Sequence, residues 1–212
     1  MVERRYIVVE GPIGVGKTSL ARRLADAFGS ELIEEMPDAN PFLERFYVDP
    51  GRAALPTQLH FLLDRYRQQR ALVGNRNGRG LVADYLFAKD RLFAELNLEG
   101  PELDLYRGVL ALMTDPIPIP DQVIYLEARP EVLKRRLRKR NREFERRISE
   151  AYLEGLIEGY RRFFHEYSEA PVLVVNCSDI DFVEQGSDLE DLIREIRSAK
   201  KGMQQYIPLG SQ

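Results

Sequence analysis

Residues 11–18, Gly11-Pro12-Ile13-Gly14-Val15-Gly16-Lys17-Thr18, have the spacing G-x-x-x-x-G-K-[ST], lying between the apolar run YIVVE and the amphipathic stretch SLARRLADAF. Strand, glycine loop and helix in that order make a phosphate cradle. The glycines let backbone N–H groups turn inward onto phosphate oxygens, and the helix that follows adds its positive N-terminal end. Lys17 then reaches the β- and γ-phosphates of a nucleoside triphosphate, the Thr18 hydroxyl can ligand Mg²⁺, and Ser19 completes the stretch. ATP with Mg²⁺ is the expected occupant. GTPases, ATPases and kinases share such a loop, so it names no reaction by itself. A GTPase would also need an N-K-x-D string, which is absent.

Cations and acids elsewhere could complete a transfer reaction. The segment KRRLRKRNREFERR, residues 134–147, is the densest run of positive charge. On a helix following Pro130, Arg136 and Arg140 are spaced i, i+4 and share a face, with Arg142 just beyond. Such a face can cover the charge that develops on a transferred phosphoryl group, or it can be a solvated basic surface. Glu143 and Glu145 interleave with it and the net charge is −3, which weighs against a nucleic-acid partner. Acids stand at the ends of two further apolar runs: Glu34 and Glu35 after ELI, and Asp84 after GLVA. A hydroxyl that attacks phosphorus must lose its proton, so a carboxylate near the cradle is wanted, and a second acid is wanted for the metal or its waters.

The elements that must position these groups follow from periodicity. Five apolar runs, at 6–10, 31–35, 80–84, 122–128 and 171–176, read as strands, and the stretches between them carry helical spacing. Alternation of this kind predicts an α/β fold with a five-stranded parallel sheet and helices on both faces. Leu59, Leu62, Leu63 and Tyr66, and then Tyr152, Leu156, Tyr160, Phe163 and Phe164, form helical stripes that must be buried against the sheet or a second subunit. Loops are expected at 74–80 (GNRNGRG) and 115–121 (DPIPIPD). The length, 212 residues, suits one domain, taken as 1–197, with 198–212 as a loosely ordered tail or a final packed arm. Cys177 has no partner for a disulfide, and no Cys/His cluster has zinc spacing. No apolar run approaches the roughly 20 residues of a membrane span, so a cytoplasmic protein with no membrane partner is expected.

Six ordered blocks then point to a family: EGPIGVGKTSL, IEEMPDANPFLERFY, PTQLHFLLDRYRQQ, VADYLFAKDRLFA, RKRNREFERRI and NCSDIDFV. Together they resemble the deoxynucleoside kinases, in particular the bacterial deoxyadenosine and deoxyguanosine kinase branch. The resemblance implies a P-loop kinase fold and transfer of the γ-phosphoryl group of ATP to the 5′-hydroxyl of a deoxynucleoside. It selects Glu35, five residues before Asn40-Pro41, as proton acceptor, and makes 134–148 a helical arginine-rich lid carrying Arg136, Arg140 and Arg142. It assigns Gln58, Arg65 and Asp90 to the base, Phe87 to the pocket wall, Tyr47 and Glu145 to the sugar 3′-hydroxyl, Asp84 to the metal side, and Asp181 and Phe182 to the adenine of ATP. Relatives often follow the strand-three acid with arginine, whereas Tyr85 stands here. The resemblance also implies a homodimer through two helices. Asp90, an acceptor when ionised, suits the amino group of adenine or cytosine, and deoxyadenosine is preferred on that ground. Deoxyguanosine and deoxycytidine stay open.

Two rivals remain at this level. A thymidylate-type monophosphate kinase shares loop and lid, but it would want an arginine beside Asp84 to neutralise its substrate's phosphate. A non-catalytic nucleotide-binding scaffold would have no need of Glu35 or Arg140.

Overall fold

The computed structural model describes residues 5–73, 78–180, 186–198 and 201–208. Strand β1 (Tyr6–Glu10) is buried at all five positions, as a strand covered on both faces must be. After the glycine loop, α1 (Lys17–Phe28) buries Leu20, Ala21, Leu24, Ala25 and Phe28 along one stripe, and Gly29 at φ 61° closes it in the left-handed conformation. The chain continues through β2 (Glu31–Ile33), a 3₁₀ turn (Pro37–Ala39), α2 (Leu43–Val48), α3 (Pro50–Leu72), β3 (Leu81–Ala83), α4 (Lys89–Asn97) and α5 (Gly100–Ala111). It ends with β4 (Gln122–Glu127), α6 (Pro130–Arg140), a second 3₁₀ turn (Phe144–Arg147), α7 (Glu150–Glu166), β5 (Val172–Asn176), α8 (Gly186–Ser198) and β6 (Met203–Tyr206).

The sheet is parallel, in the order β2-β3-β1-β4-β5-β6. It has six strands, not the five expected. The extra strand comes from the segment read as a tail: Met203 to Tyr206 pair with Val172 to Val175. Only four residues long and half exposed, MQQY lacks the apolar run by which a strand is recognised. Backbone pairing along the β5 edge holds it instead. Strand order reverses around β1, since the chain leaves it for β2 and β3 on one side and later places β4 on the other. The loop after β1 therefore opens at the switch point, where a parallel sheet leaves a crevice at its carboxyl ends.

Alternation along the strands divides the core. Ile7 and Val9 join a cluster with Leu24, Leu126, Leu133 and Leu192, whereas Tyr6 and Val8 join one with Tyr125, Leu156, Tyr160 and Phe164. A third cluster, built from Leu43, Phe46, Leu62, Ala94 and Tyr106, ties α2, α3, α4 and α5 into an outer helical layer. Of the two predicted stripes, that of α7 is buried at Leu156, Tyr160 and Phe164. Helix α3 begins at Pro50 and runs through Pro56 at the loss of one backbone hydrogen bond. Leu62 is buried, but Leu63 stays exposed.

Candidate active site

Gly11, Gly14 and Gly16 adopt φ of 150°, 81° and 105°, values that favour glycine. Space demands it as well: a Cβ on Gly11 would stand 2.4 Å from the Leu126 carbonyl oxygen, and one on Gly14 would stand 2.9 Å from the Leu137 side chain. Helix α6 thus packs directly on the loop. Lys17 Nζ donates to the carbonyls of Gly11 (2.8 Å) and Pro12 (3.2 Å). Burial lowers its pKa to about 8, against the pull of Glu10. A phosphate would be the stronger partner for such an ammonium.

Asp84 joins the loop to the exit of β2. Its Oδ2 accepts from the Thr18 hydroxyl at 2.5 Å and its Oδ1 from the Glu35 backbone N–H at 2.7 Å. Burial pushes the Asp84 carboxyl up, and those two hydrogen bonds oppose the shift. Among the described residues no group of three or more His, Cys, Asp or Glu forms a metal cage. Thr18 with Asp84 is a hard oxygen pair of the kind Mg²⁺ uses when phosphate oxygens and water complete its shell.

The two neighbouring glutamates separate here. Glu34 pairs with Arg22, through Nε and through Nη2 at 3.0 Å. Glu35 meets Arg65 Nε at 2.6 Å and Lys89 Nζ at 3.3 Å. Burial alone would raise the Glu35 carboxyl, but Arg65 and Lys89 outweigh it and hold the pKa at about 2. Arg65 is also ion-paired with Asp90 and lies over the Phe61 ring, 4.8 Å from its centroid. Burial lifts the Asp90 carboxyl to about 6 in spite of Arg65 and Lys89, and Asp90 Oδ2 has no hydrogen-bond partner among the described residues.

One cavity of about 680 Å³ gathers most of the expected residues. Ile13 to Ser19 line it together with Arg136, Arg140 and Arg142; Glu35, Asp84, Tyr47, Gln58, Arg65 and Glu145 line it too. Gly11 and Pro12 lie beneath, reaching Lys17 through their carbonyls. Phe87 and Asp90 are placed differently from expectation. They border a neighbouring cavity of about 260 Å³ with Ile117 to Pro120, so Asp90 stands behind Arg65 and Phe87 is no wall of the main cavity. Both open or precede α4, and periodicity does not say which way that helix turns its first residues. Tyr85 also faces inward, fully buried, its hydroxyl bonded to Gln68 and Gln69. Asp181 and Phe182 lie outside the described residues.

The basic segment is engaged rather than solvated where it faces the cavity. Arg136 donates to the carbonyls of Val15 (3.0 Å), Cys177 (3.0 Å) and Ile180 (2.9 Å), tying α6 to the phosphate loop and to the turn after β5. Arg140 Nε donates to Glu145 at 2.9 Å, and Arg142 pairs with Asp38 at 3.2 Å. Two charged residues missed by sequence reasoning complete the site. Glu10, the last residue of β1, is buried beneath the loop, and Lys89 bridges it to Glu35. Their signal was local: an acid directly before Gly11, and a lysine beside Asp90 in FAKDR.

A cradle for triphosphate, an ionised carboxylate and a pocket for a small polar molecule therefore share one cleft. A sequence model of the family described as Deoxynucleoside kinase matches residues 7–200. The chain belongs to the deoxynucleoside kinase family. Among its relatives, a deoxyguanosine kinase of Bacillus subtilis (strain 168) is 35% identical over 198 residues, covering 91% of this chain and 96% of its own length. A deoxyadenosine/deoxycytidine kinase of the same organism is 31% identical over 200 residues, covering 91% of each chain. In structure, deoxyadenosine kinase from M. mycoides with bound dATP superposes with a TM-score of 0.76 at 22% identity, covering 92% of this kinase and 100% of that chain. That likeness establishes the P-loop kinase fold, and the family assignment makes this protein a kinase.

Proposed function

We propose that this kinase transfers the γ-phosphoryl group of ATP to the 5′-hydroxyl of deoxyadenosine, in nucleotide salvage, with Glu35 as proton acceptor. The observation that carries the reading is that the Glu35 side chain opens onto the same cavity as Lys17 and Thr18. Held at about 2, its carboxyl is fully ionised at neutral pH. It can accept a hydrogen bond from the 5′-hydroxyl, orient that oxygen towards phosphorus, and take the proton as the new P–O bond forms. A loose transition state makes little demand for early proton removal, so a weak base suffices.

The phosphate loop and Lys17 hold the triphosphate. Mg²⁺ would be held by Thr18 and, partly through water, by Asp84, and it would offset phosphate charge. Arg140 and Arg142, paired in the absence of substrate with Glu145 and Asp38, are placed to turn to phosphate oxygens as the lid closes and excludes water. Arg136 holds the lid to the loop through Val15. Tyr47 and the buried Glu145 serve the sugar 3′-hydroxyl. Gln58, whose amide makes no hydrogen bond among the described residues, reads the base edge, and Phe61 with Arg65 supports it. Asp90, ion-paired with Arg65 from behind, bears on the base only through that guanidinium. Deoxyguanosine is the second reading, favoured by the 35%-identical deoxyguanosine kinase. Steady-state rates with four deoxynucleosides, adenosine and dAMP, with ATP and Mg²⁺, test both. Turnover of dAMP matching that of deoxyadenosine would sink the nucleoside reading in favour of a monophosphate kinase.

We place the working form in the cytoplasm as a homodimer. Leu63 on α3, Leu105 on α5 and Leu112 just after it are exposed, and the two helices pack together through Leu62 and Tyr106 in the outer layer. An exposed apolar surface on adjacent helices suits a helical subunit interface away from the cleft.

A further inference from the structure

Lys89 is 2% exposed, yet it is not spent on a single partner. Its Nζ lies 3.3 Å from Glu35 Oε1 and 3.5 Å from Glu10 Oε2. The rings of Tyr85 and Phe93 enclose it, each with its centroid 5.9 Å from Nζ. A buried ammonium is tolerated when acids compensate its lost hydration, and here two do. Glu10, fully buried, is fixed without help from Lys89: its Oε1 accepts from the Gly11 backbone N–H (2.8 Å) and the Tyr160 hydroxyl (2.9 Å), and its Oε2 from the Leu86 N–H (2.7 Å). One end of Lys89's environment is thus anchored to the first residue of the phosphate loop, and the other is the Glu35 carboxylate. Arg65, the second cation on Glu35, reaches in from α3 in the outer helical layer and is shared with Asp90.

We infer that Lys89 is a positioning residue: through Glu10 it holds the Glu35 carboxylate at a set offset from the phosphate loop, so that proton acceptor and triphosphate occupy one rigid frame. Arg65 cannot do this, because it bonds to nothing in the loop among the described residues. The inference deepens the proposed role of Glu35 and rests on it. A merely structural lysine would affect stability and substrate binding alike; a positioning lysine acts through Glu35 and on the chemical step.

The test is a cycle of Lys89→Met, Lys89→Arg and Glu35→Gln, followed by single-turnover and steady-state rates with deoxyadenosine, or with whichever deoxynucleoside the parent protein prefers. A misplacement of about 1 Å is worth about 100-fold in rate, so Lys89→Met is expected to lower kcat by about 100-fold with the KM for ATP changed less than about threefold. Lys89→Arg, which keeps the charge but moves its donors, is expected to lose about tenfold. In the Glu35→Gln background each Lys89 change is expected to cost less than about threefold, because residues acting through one group are not additive. Equal losses in both backgrounds, a loss of kcat below about threefold for Lys89→Met, or a rise in the KM for ATP as large as the fall in kcat overturns the inference. Should Lys89→Met fail to fold, the Lys89→Arg pair decides on the same terms. Glu35→Gln with undiminished kcat instead overturns the proposed role of Glu35, and the inference with it.

Discussion

Glu35 owes its charge to its neighbours. Burial opposes ionisation, and Arg65 and Lys89 reverse that outcome, so the carboxyl is ionised at neutral pH. Glu35→Gln keeps the shape and removes the acceptor charge. We expect kcat to fall by about 10²–10⁴-fold, the usual worth of a positioned base, while ATP affinity measured by calorimetry stays within about threefold. Asp90 behaves in the opposite sense. Its folded pKa is raised by burial from 3.8 to about 6, so its contribution to stability is complete below about pH 4 and is lost as pH rises through about 6. Asp90→Asn abolishes that loss. Urea midpoints of parent and variant should therefore shift in the variant's favour between pH 4 and pH 7, and a constant difference would show that Asp90 does not titrate there.

At the scale of elements, the phosphate loop and α6 are packed as one unit. Gly14 lies against Leu133 and Leu137 of α6, and Arg136 of the same helix bonds to Val15. A Gly14→Ala side chain would meet Leu137 at 2.9 Å on a backbone at φ 81°. We expect about 1–3 kcal/mol of destabilisation, read as a lower Tm, and loss of measurable ATP binding. Arg140 presents a different case, since it is paired with the buried Glu145. Arg140→Ala should lower kcat by about 100-fold and also raise the KM for the nucleoside, because Glu145 loses the group that orients it. A change in kcat alone would separate Arg140 from the sugar site. The phosphate loop was legible because its chemistry is contiguous: eight successive residues carry the glycines, the lysine and the threonine hydroxyl. Glu10 and Lys89 were not, because a buried ion pair is defined by a partner 79 residues away and leaves no spacing of its own.

At the scale of the molecule, the last strand covers an edge of the sheet and the outer helices leave apolar residues exposed. Ending the chain at Ser198 removes β6 and uncovers the edge of β5, an apolar run buried at four of its five positions. We expect a lower Tm and concentration-dependent aggregation in light scattering; an unchanged Tm would make β6 dispensable. Sedimentation at micromolar protein should give about twice the 24.5 kDa chain mass, and a Leu112→Glu change should return it to one. The amino-acid sequence by itself determined the strand-loop-helix cradle, the alternation that makes the α/β sheet, and the presence of acids at the ends of β2 and β3, because each is written in contiguous or periodic residues. Only the tertiary structure decided that Glu34 pairs with Arg22 while Glu35 meets Arg65 and Lys89, that Asp90 stands behind Arg65, and that Met203 to Tyr206 complete the sheet. Those outcomes depend on which groups meet across long separations, where burial makes each charge choose a partner, and no local pattern encodes that choice.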